Sequence, residues 1–338
     1  MGLIAHMDTS PEASGEPAQW QVLDYQGGDI VLNKNKNIVL SLERFPGVAK
    51  YAGEQLVVTD GTTLLGADDK AGIAIIVETA RYFVEHPEIP HAKLCFAVTP
   101  DEEVGRGTEN FDIEEFGAQY AYTFDGDELG GFETETFNAA MVKVHFEGLN
   151  VHPGSAKNKM VNAIRMAMDF IARLPAESAP EKTEGHEGFF HPMGISGAVR
   201  GVDLKMLIRD HSNSRFEDRM NYVRKMVEEM NKVWGDRVSA DIKVQYHNLK
   251  NYLDKHPAVC ELAREAYRRI GVEIHEKPVR GGTDGARLSA KGLPTPNLFT
   301  GGMNYHGVYE CLSVTGIQRA LDLGIMLGKM SAEVKTLD

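Results

Sequence analysis

The chain has 338 residues, of which 42% are hydrophobic and 25% charged, a composition typical of a globular protein with two domains. Its formal net charge of -13 argues against nucleic acid or an anionic membrane as a partner. Three widely spaced cysteines argue against a disulfide framework. No stretch is long and apolar enough to span a membrane, and no signal peptide is visible, so we expect a cytoplasmic protein.

The first part of the chain alternates between strand and helix patterns. Residues 2–5 predict a short buried strand, and residues 11–60 predict loops with short strands. Residues 70–84 are apolar nearly all round, which predicts a buried helix, and residues 94–98 predict an interior strand containing a buried thiol, Cys95. This order favours an open α/β sheet with its chemistry at the carboxyl ends of the strands.

Near residue 137 the pattern changes to that of a sheet with one wet face. In chain order we predict a strand at 142–146, a helix at 160–174, strands at 195–199 and 204–208, a helix at 216–234 and a strand at 242–246. The order β-α-β-β-α-β is that of a ferredoxin-like unit. We therefore predict an α/β catalytic domain in two parts, 1–136 and 254–338, and an inserted ferredoxin-like α+β domain at 137–253.

After residue 254 the first domain resumes. Residues 257–270 predict an amphipathic helix, residues 280–285 a Gly-rich loop, residues 297–299 a short strand and residues 314–334 the last helix.

Histidines and acidic residues follow several of these apolar runs. They are His6 and Asp8, Asp68 and Asp69, the triplet Asp101 to Glu103, Asp125, and His306. Imidazole and carboxylate ligands without cysteine suit borderline divalent ions such as zinc. A hydrolytic site with two such ions also needs a carboxylate that bridges them and another that takes a proton from water.

Each segment alone also has an ordinary structural interpretation. Asp68 and Asp69 are suited to cap a helix, and residues 101–103 to form a solvated acidic turn. Asp125 fits a turn before Gly126, and His306 fits a hydrogen-bonded loop histidine. Their joint occurrence at the edge of one predicted sheet is what favours a metal site.

Several longer stretches resemble the M20 metallopeptidase family. They are residues 5–11 (AHMDTSP), 63–72 (TLLGADDKAG), 99–105 (TPDEEVG), 152–154 (HPG) and 280–285 (RGGTDG). The resemblance implies a two-domain α/β zinc-peptidase fold of the phosphorylase/hydrolase-like class with an inserted ferredoxin-like domain. The activity it implies is release of the N-terminal residue from tripeptides.

The resemblance also implies a role for each site residue. Two zinc ions, with Co2+ or Mn2+ as alternatives, would be bound by His6 and Asp125 on one side, by Glu103 and His306 on the other, and by Asp68 as a bridge. Glu102 would be the general base for the attacking water, and Asp8 would orient His6. The peptide bond between Asp68 and Asp69 would be cis.

Substrate-binding residues are predicted in the inserted domain and the Gly-rich loop. The resemblance implies that His152 assists the oxyanion from the partner subunit of a homodimer formed through the inserted domain; the alternative is a surface loop histidine. Arg209, and then Arg280, are our candidates for binding the carboxylate of a short peptide, because a guanidinium group binds both oxygens. A structural ion pair is the alternative for either arginine.

Three other functions stay open at this point. Another M20 activity, dipeptidase or N-acyl amino acid deacylase, would share the metal site. A truncated, non-catalytic remnant is the second, because the sequence begins inside the strand of His6 and we expect the family's preceding helix and strands to be missing. A glycosidase that uses Glu102 and Glu103 is disfavoured, since adjacent residues on an extended chain point apart.

Overall fold

The computed structural model describes residues 1–16 and 19–334. The strands in these ranges are β1 (Gly2–His6), β2 (Trp20–Asp24), β3 (Ile30–Asn33), β4 (Ile38–Leu40), β5 (Gln55–Thr59), β6 (Cys95–Thr99), β7 (Ala121–Gly126), β8 (Gly131–Glu133), β9 (Asn138–Glu147), β10 (Phe189–Ala198), β11 (Gly201–Asp210), β12 (Val238–Tyr246), β13 (His275–Glu276), β14 (Asn297–Phe299), β15 (Gly302–Met303) and β16 (Cys311–Ser313). The α-helices are α1 (Ala67–Glu85), α2 (Ile113–Phe116), α3 (Ala163–Arg173), α4 (Asn213–Trp234), α5 (Lys250–Leu253), α6 (Pro257–Ile270), α7 (Asp284–Ala290) and α8 (Val314–Ser331).

The chain forms two compact units. The first comprises Met1–Thr134, Leu249–Lys277 and Thr283–Asp338, and the second comprises Glu135–Asn248 and Pro278–Gly282. Residues 249–253 were predicted in the insert, but here Leu249 and Leu253 are buried in the apolar core of the first unit. The predicted domain bounds themselves stay a prediction.

A six-stranded sheet forms the centre of the first unit, in the order β13-β8-β14-β7-β1-β6. Strands β1, β6, β7 and β14 run parallel, while β8 is antiparallel to β14. All five residues of β1 are buried, as is usual for a central parallel strand covered on both faces. The prediction of an open α/β sheet is therefore confirmed.

Helix α1 packs against this sheet and against α8. Ile75, Ile76 and Phe83 are buried, but Val77 and Val84 are 54% and 78% exposed. The prediction of a buried helix is therefore confirmed for the face that the sheet and α8 cover, but it was wrong for the face that carries Val77 and Val84. Two smaller sheets, β15-β16-β5-β2 and the pair β3-β4, lie over a satellite core of the same unit.

The second unit has the predicted β-α-β-β-α-β order. Its antiparallel sheet has the order β10-β11-β9-β12, and α3 and α4 cover one face. The core between sheet and helices contains Phe146, Phe170 and Phe216. Helix α3 begins at Ala163 rather than at residue 160, because the backbone of Val161 pairs with Leu149 in an isolated bridge.

Two further sequence predictions concern the last helix and the thiols. Helix α8 ends at Ser331, three residues before the predicted end at residue 334. Cys95 is buried as predicted, and Cys260 and Cys311 are buried free thiols as well. Among the helices in the described ranges, none has the length and apolarity needed to cross a bilayer.

Candidate active site

The parallel strands bring the acidic and histidine segments to one edge of the central sheet. His6 is the last residue of β1 and is in register with Thr99, the last residue of β6. The acidic triplet begins two residues after Thr99, and Asp125 is the fifth residue of β7, which pairs in parallel with β1 on its other side. The carboxyl ends of three neighbouring strands thus supply the site, as expected for an open α/β sheet.

The first half of the cluster surrounds the buried side chain of His6. The Nε2 atom of His6 lies 2.9 Å from Oδ1 of Asp68 and 3.2 Å from Oδ1 of Asp125. Asp68 and Asp69 lie at the start of α1 in non-helical conformations, joined by a cis peptide bond as predicted.

The second half of the cluster surrounds His306. Its Nε2 atom lies 3.1 Å from Oδ2 of Asp68 and 3.1 Å from Oε2 of Glu103. The two oxygens of Asp68 therefore face two different histidines. Potential ligand atoms of His6, Asp68 and Glu103 lie within 4.8 Å of one another, and so do those of His6, Asp69 and Asp125.

Asp8 connects His6 to the acidic triplet. The Nδ1 atom of His6 lies 3.0 Å from the carbonyl oxygen of Asp8 and 3.3 Å from its carboxylate. Both neighbours are acceptors, so Nδ1 carries a proton and donates. Nε2 faces acceptors as well, the carboxylates of Asp68 and Asp125, so the ring donates from both nitrogens, and a cation bound in the cluster would take the place of the Nε2 proton. The carboxylate of Asp8 also accepts hydrogen bonds from the backbone N–H groups of Glu102, at 3.0 Å, and Glu103, at 3.1 Å.

The cluster holds more negative charge than its histidines balance. Burial, together with Asp125 and Asp284, raises the pKa of Glu102 to about 9, and burial raises the pKa of Asp125 to about 7. Burial also acts to raise the pKa of Asp68, but hydrogen bonds from His306 and His6 outweigh it and lower that pKa to about 2. Such shifts mark a set of carboxylates that a bound cation would stabilise in their ionised form.

The structure shows contacts of three polar residues to which the sequence reasoning gave no role in the site. Asp69 is 1% exposed and accepts hydrogen bonds from the N–H groups of His6 and Gly72, both at 3.0 Å. Asn297 accepts a hydrogen bond from the N–H of Asp125 at 3.1 Å. Glu310, in the same loop as His306, accepts from two N–H groups at the start of α1. Proximity to His306 in the sequence was the one signal that pointed to Glu310.

The three predicted substrate-binding residues all lie in the second unit. His152 is exposed and accepts a hydrogen bond from the N–H of Gly154 at 3.1 Å. The guanidinium of Arg209 lies 5.1 Å from the ring centroid of Tyr246. Arg280 is engaged within this unit, as described next, and all three roles stay predictions.

Arg280 is held by several groups of the second unit. Its Nη1 atom donates to the carbonyl oxygens of Gly185 and Glu187, both at 2.8 Å, and Nη2 donates to Oγ1 of Thr183 at 2.8 Å. Its guanidinium also stacks on Phe137 at 5.1 Å. These contacts fit a structural role for Arg280. Its partners are two backbone carbonyl oxygens and a hydroxyl group, whereas the structural alternative considered from the sequence was an ion pair.

Comparisons with known proteins agree with this geometry. The family model of a peptidase dimerisation domain matches residues 134–235. The peptidase T of Clostridium acetobutylicum is 49% identical over 335 residues, which cover 98% of this chain and 82% of that protein. The crystal structure of aminopeptidase PepT from Bacillus cereus has a TM-score of 0.77 and 26% identity, covering 98% of this chain and 80% of that one.

A second solved structure supports the fold alone. A tripeptidase from Staphylococcus aureus has a TM-score of 0.76 at 22% identity, and the match covers 98% of this chain and 81% of that one. The identity and coverage of the peptidase T relative are decisive. This chain belongs to the peptidase T group of the M20 metallopeptidase family.

Proposed function

We propose that this chain is a metal-dependent aminopeptidase that releases the N-terminal residue from tripeptides. The observation that carries the proposal is that the two oxygens of Asp68 face His6 and His306, each beside a further carboxylate. Two of the relatives reported above, a peptidase T and an aminopeptidase, support short peptides as substrates.

The residues fit a pair of metal ions. His6 and Asp125 would hold one ion, Glu103 and His306 would hold the other, and Asp68 would bridge the two. The fit rests on His6 Nε2, which faces two carboxylates and would bind a cation in place of its proton, and on Oε1 of Glu103, which is buried without a hydrogen-bond partner among the described residues. We propose zinc, with Co2+ or Mn2+ as alternatives, because imidazole and carboxylate ligands suit all three.

The chain's own residues divide the remaining work of peptide hydrolysis. Bound divalent ions would polarise the scissile carbonyl group and lower the pKa of the attacking water. Glu102 would take the proton from that water and give it to the leaving amine. Asp8 would support both tasks, because it holds the backbone of Glu102 and fixes the ring of His6.

Recognition of the peptide would fall to the second unit. His152 of the partner subunit would stabilise the developing oxyanion. Arg209 would bind the carboxylate at the peptide's C-terminus, with Arg280 as the second candidate. We propose that the chain forms a homodimer through this unit, which the dimerisation-domain match at residues 134–235 supports.

Three buried free thiols support a reducing compartment, and we propose that the protein is located in the cytoplasm.

A comparison of three substrates tests the proposed activity. Zinc-loaded protein is incubated with a tripeptide, its N-acetylated form and the dipeptide that lacks the third residue, and the released amino acid is quantified. We expect rapid release from the free tripeptide and little from the other two. Preferred cleavage of the N-acetylated peptide would instead identify a deacylase, and preferred cleavage of the dipeptide would identify a dipeptidase.

A further inference from the structure

Glu310 joins two segments of the cluster that are far apart in sequence. It is 2% exposed and lies four residues after His306 in the loop between β15 and β16. Its Oε2 atom accepts a hydrogen bond from the N–H of Gly66 at 2.5 Å, and its Oε1 atom accepts one from the N–H of Asp68 at 3.0 Å. One side chain of the His306 loop thus holds the backbone of the residue whose carboxylate faces both histidines.

The local backbone explains why a carboxylate fits there. Gly66 is in the left-handed region, with φ 67°, and it precedes the first turn of α1, where N–H groups have no partner within the helix. Two N–H groups that converge in such a turn form a concavity suited to an anion. A carboxylate offers both of them an acceptor, whereas an amide of the same shape offers one acceptor and one donor.

We propose that Glu310 is a positioning residue that sets the carboxylate of Asp68 relative to His306 and so prepares the site for two metal ions. The proposal rests on the proposed metal-dependent function. Glu310 is not placed among the metal ligands, since both of its oxygens are engaged by N–H groups. It would affect metal binding indirectly, by holding the backbone N–H of Asp68 and so fixing where the carboxylate of Asp68 lies.

Zinc affinity of the full chain tests the proposal. Metal-free wild type, Glu310→Gln, Glu310→Asp and Asp68→Asn are titrated with zinc against a chelator of known affinity, and kcat and KM for a tripeptide are measured at saturating zinc. We expect Glu310→Gln to raise the zinc dissociation constant about 10- to 100-fold and to lower kcat with KM little changed. Glu310→Asp, which keeps the charge, should recover part of both losses.

A matched control separates positioning from general stability. Glu54 is a partly buried glutamate of the same unit whose carboxylate accepts a hydrogen bond from Ser313 at 2.7 Å. Glu54→Gln keeps an acceptor there and should leave zinc affinity and kcat unchanged.

Two outcomes would count against the inference in different ways. Zinc affinity of Glu310→Gln within twofold of wild type, alongside weak binding by Asp68→Asn, would overturn the role of Glu310 and leave the metal site standing. Wild-type affinity in Asp68→Asn would refute the metal site itself, and the role of Glu310 with it. If Glu310→Gln does not fold, Glu310→Asp decides instead: its shorter side chain should keep only part of the zinc affinity, and an affinity within twofold of wild type would overturn the role of Glu310.

Discussion

The Nε2 atom of His306 lies 3.1 Å from Oδ2 of Asp68, across 238 positions of sequence. The other oxygen of Asp68 lies 2.9 Å from His6, so this carboxylate is the point at which the two halves of the cluster meet. Its position depends on the turn that starts α1, and the position of His306 depends on the loop before β16. The site is therefore assembled by tertiary structure from segments that lie far apart in the sequence.

Glu102→Gln should abolish most of the activity while leaving metal binding intact. The amide keeps the size of the side chain but cannot accept the proton of the attacking water, so we expect kcat to fall about 100- to 10,000-fold. The zinc content per chain and the circular dichroism spectrum should match those of the wild type. Activity within a few fold of wild type would refute Glu102 as the base.

Asp8→Asn should weaken the site without removing a ligand. The amide can accept only one of the two N–H groups of Glu102 and Glu103, and it loses the charge beside His6. We expect kcat to fall about 10- to 100-fold. The control is Asp112→Asn, because Asp112 caps α2 through the N–H of Glu115 and asparagine caps a helix equally well. Equal kcat values in the two variants would contradict the role of Asp8.

The two arginines should respond differently to replacement by lysine. Arg280 donates to Gly185, Glu187 and Thr183, so Arg280→Lys should lower the free energy of unfolding by about 1–3 kcal/mol.

Arg209→Lys should instead raise KM for a tripeptide about tenfold or more, because a bidentate contact with the peptide's carboxylate is lost. The peptide with a C-terminal amide should show no such change in KM. A KM effect confined to Arg280→Lys would assign the carboxylate to that residue.

Buried His211 should make stability depend on pH. Burial lowers its pKa below the ordinary value of 6.5, against an opposing effect of Glu135, while His186 and Arg280 act in the same direction as burial. The unfolded chain therefore binds the proton first, and the free energy of unfolding should fall as pH drops below about 6.5. His211→Gln keeps a donor toward the carbonyl of Val279 and should flatten this part of the profile. Denaturant midpoints from pH 5 to 8 measure it, and identical profiles would contradict the prediction.

The elements that the sequence predicted correctly are those with strong periodicity. Helix α4 lies within three residues of the predicted span 216–234, since Phe216, Met220 and Val223 form a buried stripe that only a helix can produce. Boundaries were less accurate where a tertiary contact decides them. The start of α3 depends on the pairing of Val161 with Leu149, which no local pattern reveals.

In the site, too, features that follow from local sequence patterns could be predicted, and features that depend on tertiary contacts could not. The segments of His6, the acidic triplet and Asp125 could be located because each follows an apolar strand, and parallel strands bring their carboxyl ends together. The distances that make Asp68 central, and the contacts of Glu310, depend on loop conformations. Those conformations follow from packing between segments more than 200 residues apart.

The most direct test of the central claim is hydrolysis of a plain tripeptide by the purified chain, first with zinc, then with a chelator, and then with zinc restored. We predict release of the N-terminal amino acid that stops on chelation and returns with zinc. Folded, zinc-loaded protein that releases no amino acid would contradict the claim and favour a non-catalytic role, and release that a chelator does not affect would contradict the metal-dependent mechanism.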